Sequence, residues 1–114
     1  MKRRFRLRRR QDFDRVMKTQ RVFAGRGIVA FARPGPEGRW RVGVTVSRQL
    51  RGAVKRNRVR RRLREAARTG LLAGASAPGY DVVLIGRPAA LDLPLEVLSE
   101  EAARVLGKLA RSPA

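Results

Sequence analysis

Residues 53–68 read AVKRNRVRRRLREAAR, a stretch with eight lysines and arginines and a single acid, Glu65. A charge run this dense is ordinarily a solvated tail, yet this one also carries Val59, Leu63, Ala66 and Ala67. Placed on a helix at about 100° per residue, those four share one arc about 100° wide, enough to seat a helix on a sheet. Asn57, Arg60, Arg61, Arg64 and Arg68 fall together on a contiguous face beside it. A tail has no use for the apolar arc, so the spacing predicts a packed helix. Two arginines fit it less simply. Arg62 borders the arc, where its stem can cover apolar surface while its head reaches water. Arg56 falls inside the arc, but in the first turn, where it can leave past the helix end.

The cationic face needs a partner. Ion pairs four residues apart would steady a solvated helix, but Glu65 is the one acid in the stretch and several cations at that spacing repel. Phosphates supply what is missing, because releasing their counterions turns the repulsion into affinity. Composition points the same way. The 114 residues carry a net charge of +19, and 24 of the 28 cations are arginine, whose planar fork takes phosphate bidentately. A surface this positive works against the compact state and favours a polyanion partner. There is no cysteine and no histidine. Disulfides, thiolate nucleophiles, the commonest general base and the commonest metal ligand are therefore all excluded. No apolar run has the length of a membrane span or a signal peptide, so no membrane partner is expected. Hydrophobic residues make up 43% of the chain, which suits one folded domain over 1–114, with residues 1–10, MKRRFRLRRR, as a basic and flexible arm.

Local patterning predicts the remaining elements. In QDFDRVMKTQ, Phe13, Val16, Met17 and Gln20 fall at helical spacing with Asp12 and Asp14 at the helix start. RGIVAFAR reads as a strand, RPGPEGR as a turn and WRVGVTVS as an alternating strand, so the two strands are expected to pair as an antiparallel hairpin. TGLLAGASAPG is small, Gly-rich and expected to be irregular. YDVVLIGR has the unbroken apolarity of a strand buried on both faces in mid-sheet. PLEVLSEEAARVLGKLAR predicts a closing helix with acids early and bases late, and an apolar face of Leu95, Leu98, Ala102, Val105, Leu106 and Leu109. The order is helix, two strands, helix, strand, helix: an α+β domain with three or four strands. A recognition helix for the DNA major groove would have a partner helix one short turn away. Here the neighbours read as strands, which suits structured or single-stranded RNA better.

The segment KRNRVRRRLREA resembles the Arg-Asn-Arg signature of the bacterial ribonuclease P protein subunit. RLRRRQDFDRV resembles that family's basic start and first helix, RVGVTVSRQLRGAVKRNR its strand and turn leading into the signature helix, and YDVVLIGRPAA its last strand. Together these cover most of residues 3 to 110 in order. The resemblance implies a two-layer α/β sandwich, a mixed sheet of about four strands with three helices, and a left-handed βαβ crossover through the arginine-rich helix. It implies a ribonucleoprotein whose RNA subunit cuts the 5′ leader from precursor tRNA and binds most of the Mg²⁺, with no catalytic or metal-ligating residue in the protein, a cytoplasmic location and no obligate protein partner.

Residue by residue, the resemblance assigns Arg56, Asn57, Arg58, Arg60, Arg61 and Arg64 to contact with the RNA subunit. Arg68 on the same face and Arg48 in the preceding turn join them. Asn57 admits a second reading as a helix cap. The resemblance assigns Phe13, Met17 and Phe31 to a cleft for the leader strand, and for the two phenylalanines core packing is an equal alternative. Met17 and Phe31 depart from the aromatic and the tyrosine common at those positions, and Arg62 from an apolar residue. Two rival readings share parts of this chemistry. A generic structured-RNA-binding protein of ribosomal type has the same electrostatics, and a self-sufficient nuclease would have to build a metal site from acids such as Asp12 and Asp14.

Overall fold

Tyr80–Gly86, the most apolar segment, forms the second-from-last strand in space of a four-stranded sheet in the computed structural model, which describes residues 2–111, Arg111 by its backbone alone. In chain order the elements are α1 (Arg10–Met17), β1 (Arg21–Ala24), β2 (Ile28–Pro34), β3 (Arg41–Val46), α2 (Ala53–Ala66), β4 (Tyr80–Gly86) and α3 (Leu95–Arg111). The sheet order is β1-β2-β4-β3, with β3 and β4 parallel and the other pairs antiparallel. The α+β expectation of a mixed four-stranded sheet with three helices holds.

The expected hairpin does not. β2 and β3 never pair, because β4 lies between them, in register from Ile28↔Gly86 to Pro34↔Tyr80 on one side and from Arg41↔Asp81 to Val46↔Gly86 on the other. The physical reason is burial: Val82, Val83 and Leu84 are wholly enclosed, as a neighbour along each edge and a helical layer on each face make them. The hairpin actually formed joins β2 to β1, a short strand the local pattern does not single out. Arg26 and Gly27, read as strand, make its turn. Glu101 of α3 holds that turn, its carboxylate accepting from the backbone N–H of Arg26 at 2.7 Å and of Gly27 and Ile28 at 3.0 Å. Buried though it is, this acid is satisfied.

Two layers of unequal size cover the sheet. On one face Ile28, Ala30, Val42, Val46, Val82 and Leu84 pack beneath Val59, Leu63 and Ala66 of α2 and Leu98, Ala102, Val105 and Leu109 of α3. Gly86 permits this closeness: a Cβ there would stand 2.4 Å from Val59 Cγ1. The stretch after α2, expected to be irregular, stays helical through a wide turn (Ala67–Leu71) and a tight one (Leu72–Gly74). Leu71, fully buried, extends the apolar arc by another turn, and Thr69 donates to the Glu65 carbonyl at 2.9 Å and touches the Ser99 hydroxyl. On the other face Val16 of α1 packs with Val83 and Leu7 in a small cluster, with Phe13, Phe31 and Ile85 half-buried around them. α1 ends at Met17, short of Gln20, where Thr19 donates both its amide and its hydroxyl to the Val16 carbonyl. Among the described residues no helix is long and apolar enough to cross a membrane.

Candidate RNA interface

α2 presents the cations the sequence assigns to it, and they divide by what they touch. Asn57, Arg58, Arg61 and Arg68 are exposed, while Arg60 and Arg64 are half-buried. Arg60 Nη1 donates to Asn57 Oδ1 at 2.9 Å, which orients the amide and leaves its N–H donors outward. Asn57 is the fifth residue of the helix and Gly52 occupies the capping position, so the capping alternative for Asn57 is ruled out. Arg68 donates to Glu65, and that hydrogen bond holds the Glu65 carboxyl below the usual carboxylate range. Arg48 is exposed in the turn that leads to α2, where Leu50 N donates to the Ser47 carbonyl at 3.1 Å.

Two arginines turn away from this face. Arg56 does not leave past the helix end. Its guanidinium reaches back to the carbonyls of Ser47 at 2.9 Å, Leu50 at 2.8 Å and Val46 at 3.2 Å. It braces the turn that sets the angle of α2 against β3. Arg62 likewise does not send its head to water: it donates to the carbonyls of Ala90, at 3.0 Å, and Leu93, fastening α2 to the segment before α3. Its departure from an apolar residue is thereby accommodated, since the guanidinium satisfies carbonyls that would otherwise lack donors.

The α1 face holds the aromatic residues. Phe13 lies on Gly43, where a Cβ would stand 2.4 Å from its ring carbon. Phe31 is half-buried, and both it and Gly43 register with Val83 on either side of β4. Met17 at the end of α1 is 37% exposed. Both phenylalanines thus pack on the small core and keep an open edge, so the two alternatives for them are not exclusive. An ion-pair chain fixes α1 to the sheet. Arg41 donates to Asp81 from Nε at 2.9 Å and from Nη2 at 2.7 Å and reaches Asp12 at 3.4 Å, with Arg15 at 3.7 Å from the same acid. Hydrogen bonding to the largely enclosed Asp81 raises the Arg41 guanidinium above its ordinary value.

These pairs account for Asp12, an acid a nuclease reading would have required. Among the described residues no three acidic side chains converge as a metal site. The arm is the part that reasoning from local pattern misses. Arg6 bridges to Val42, Leu7 N donates to the Val42 carbonyl at 2.9 Å and the Leu7 side chain is buried. One signal was available: Phe5 and Leu7 stand two apart among the arginines of the arm, the spacing at which an extended strand sets side chains on one face.

The ribonuclease P family model matches residues 1–110. The ribonuclease P protein component of Chloroflexus aurantiacus is 38% identical over 115 residues, covering all of this chain and 84% of that protein. That of Ruegeria pomeroyi is 43% identical over 106 residues, covering 90% and 84%. Among solved structures, the Staphylococcus aureus RNase P protein superimposes with a TM-score of 0.71 at 28% identity, covering 94% of this chain and 95% of that one. The Thermotoga maritima RNase P protein, at 24% identity and a TM-score of 0.71, shares the fold. Because the match runs unbroken from the arm through the arginine helix to α3, the chain belongs to the ribonuclease P protein family.

Proposed function

We propose that this chain binds the catalytic RNA of ribonuclease P through α2 and the 5′ leader of precursor tRNA through the α1 face, in the cytoplasm, and that the RNA performs the cleavage. The observation that carries this reading is the exposed row Asn57, Arg58 and Arg61, joined by half-buried Arg60, on a helix whose opposite side is locked into the core. A rigid helix with guanidiniums outward meets an RNA backbone at little ordering cost, and each phosphate neutralised releases counterions. Arg56 acts here as a brace that holds the row in position. Phe13, Phe31 and Met17 offer a single strand an apolar edge, and stacking on aromatic side chains contributes about 1–3 kcal/mol per base.

Mg²⁺ supplies the charge neutralisation and activated water that phosphodiester hydrolysis requires. Four acids of this chain are already engaged, and among the described residues no three converge as a metal site. Asp12 and Asp81 are held by Arg41, Glu65 by Arg68 and Glu101 by backbone amides. The ion is assigned to the RNA. The test is reconstitution: the purified chain with a bacterial ribonuclease P RNA, assayed on precursor tRNA at low Mg²⁺. Cleavage by the RNA that rises when the chain is added is the expected result. Cleavage by the chain free of RNA, or tight binding with no gain in cleavage, would sink the reading.

A further inference from the structure

Where the arm crosses the open edge of β3, it encloses a pocket of about 290 Å³ together with α1 and α2. Leu7 points into the core, so in an extended strand its neighbours Arg6 and Arg8 point the other way. Both line this pocket, with Arg64 of α2 opposite, and Phe13, Val42, Gly43 and Val44 make up the rest of its wall. Among the described residues no carboxylate lines it. Arg6 and Arg8 are exposed and Arg64 is half-buried; among the described residues each other half-buried arginine has a partner: Arg41 has Asp81, Arg56 and Arg62 have carbonyls and Arg60 has Asn57. Among the described residues Arg64 has no hydrogen-bond or ion-pair partner.

The electrostatics of this cluster are correspondingly unfavourable. Burial, and then the cations of Arg6 and Arg60, push the Arg64 guanidinium below its ordinary value. Like charges held close together disfavour one another, and a cationic cluster on a pinned backbone, two of its members exposed and Arg64 half-buried, is completed by an anion. A tetrahedral oxyanion with its waters fits the volume, since a water occupies about 30 Å³ of liquid. Guanidinium forks match its oxygens bidentately.

We propose that Arg6, Arg8 and Arg64 form a single oxyanion site of phosphate chemistry, filled in function by one backbone phosphate of RNA. The site joins the two surfaces described above, with Arg64 belonging to the α2 row and Phe13 to the aromatic face. A strand whose phosphate sits here passes from one to the other around the β3 edge. The inference deepens the RNA-binding reading and rests on it only for the source of the phosphate.

The experiment follows the arginine Nε–Hε resonances of the full chain by NMR during titration with sodium sulfate, with sodium chloride at matched ionic strength as the control. Arg6, Arg8 and Arg64 are expected to shift together along one saturable curve while the exposed arginines drift. Arg64→Gln is expected to weaken that curve about tenfold as read from Arg6, and unchanged amide spectra will establish that the variant is folded. Small shifts spread over all arginines, or a curve unaffected by Arg64→Gln, would mean a diffuse counterion cloud and overturn the site. A second arm adds a short single-stranded RNA to the sulfate-bound chain. Displacement of sulfate supports the RNA phosphate, while retention of sulfate assigns the site to free anions and overturns that half. The sulfate arm contains no RNA, so its failure leaves the ribonuclease P reading intact, and failed reconstitution leaves the anion site intact.

Discussion

The two faces of the sheet are built to different standards. Beneath α2 and α3, apolar side chains from every strand are enclosed in one large cluster. Beneath α1, three buried residues are ringed by half-open aromatics, and much of the adhesion comes from the Arg41–Asp81–Asp12 chain. The first face spends its apolar surface on stability, so the outward side of α2 can carry mutually repelling cations without unfolding. The second leaves Phe13, Phe31 and Ile85 half-buried. On the proposed function, stability and recognition are separable on α2 and merged on the α1 face.

The largest expected effect tests the stability side. Leu63→Ala removes a fully buried side chain from the major core and is expected to cost about 2–5 kcal/mol in chemical unfolding. A loss under 1 kcal/mol would mean that α2 is not held by its apolar arc. Next comes Arg41→Ala, which strands Asp81 in a largely enclosed position. Breaking a buried pair costs about 3–5 kcal/mol, and the partial exposure of Arg41 lowers the expectation to about 2 kcal/mol. This loss is expected to reduce leader binding as well, because the same ion pairs orient α1. If stability falls but leader affinity does not, the two roles on that face are independent.

Arg60→Ala probes the separable side. RNA-subunit affinity is expected to fall by about 1–3 kcal/mol and the salt dependence to become shallower, with the unfolding midpoint unchanged. A shifted midpoint with unaltered RNA affinity would reverse the roles given to the two sides of the helix.

How much of this division was legible depends on range. The amphipathic arc of α2 is visible locally because Val59, Leu63, Ala66 and Ala67 repeat at helical spacing, and the apolarity of Tyr80–Gly86 marks an interior strand. Its neighbours were not legible. Setting β4 between β2 and β3 is a long-range choice, and an antiparallel hairpin is the default for adjacent strands. Glu101 makes the point most sharply. Its place early in α3 reads as support for the helix dipole, whereas its carboxylate serves amides 73 to 75 residues away. Arg56 and Arg62 read as excess charge for the same reason, since carbonyl acceptors leave no trace in residue type. In the site, the cations were legible as a set, but which of them are free was not.

The smallest effect separates free from engaged cations. Glu65→Gln removes the partner of Arg68, a pair on the solvent side where α2 runs into the wide turn, and exposed pairs contribute little to stability. The unfolding midpoint is expected to stay within error, while RNA affinity rises and the slope of log affinity against log salt steepens by about one unit. Acid gives the same result without mutation. Because the Glu65 carboxyl is held below its usual range, the pair persists at pH values above the unfolded carboxylate pKa. It is lost as pH falls through the lower folded value, releasing Arg68. In that window the wild-type salt slope is expected to converge on that of Glu65→Gln. Slopes that stay parallel down to that pH would place Arg68 outside the contact surface and confine the RNA footprint to the first three turns of α2.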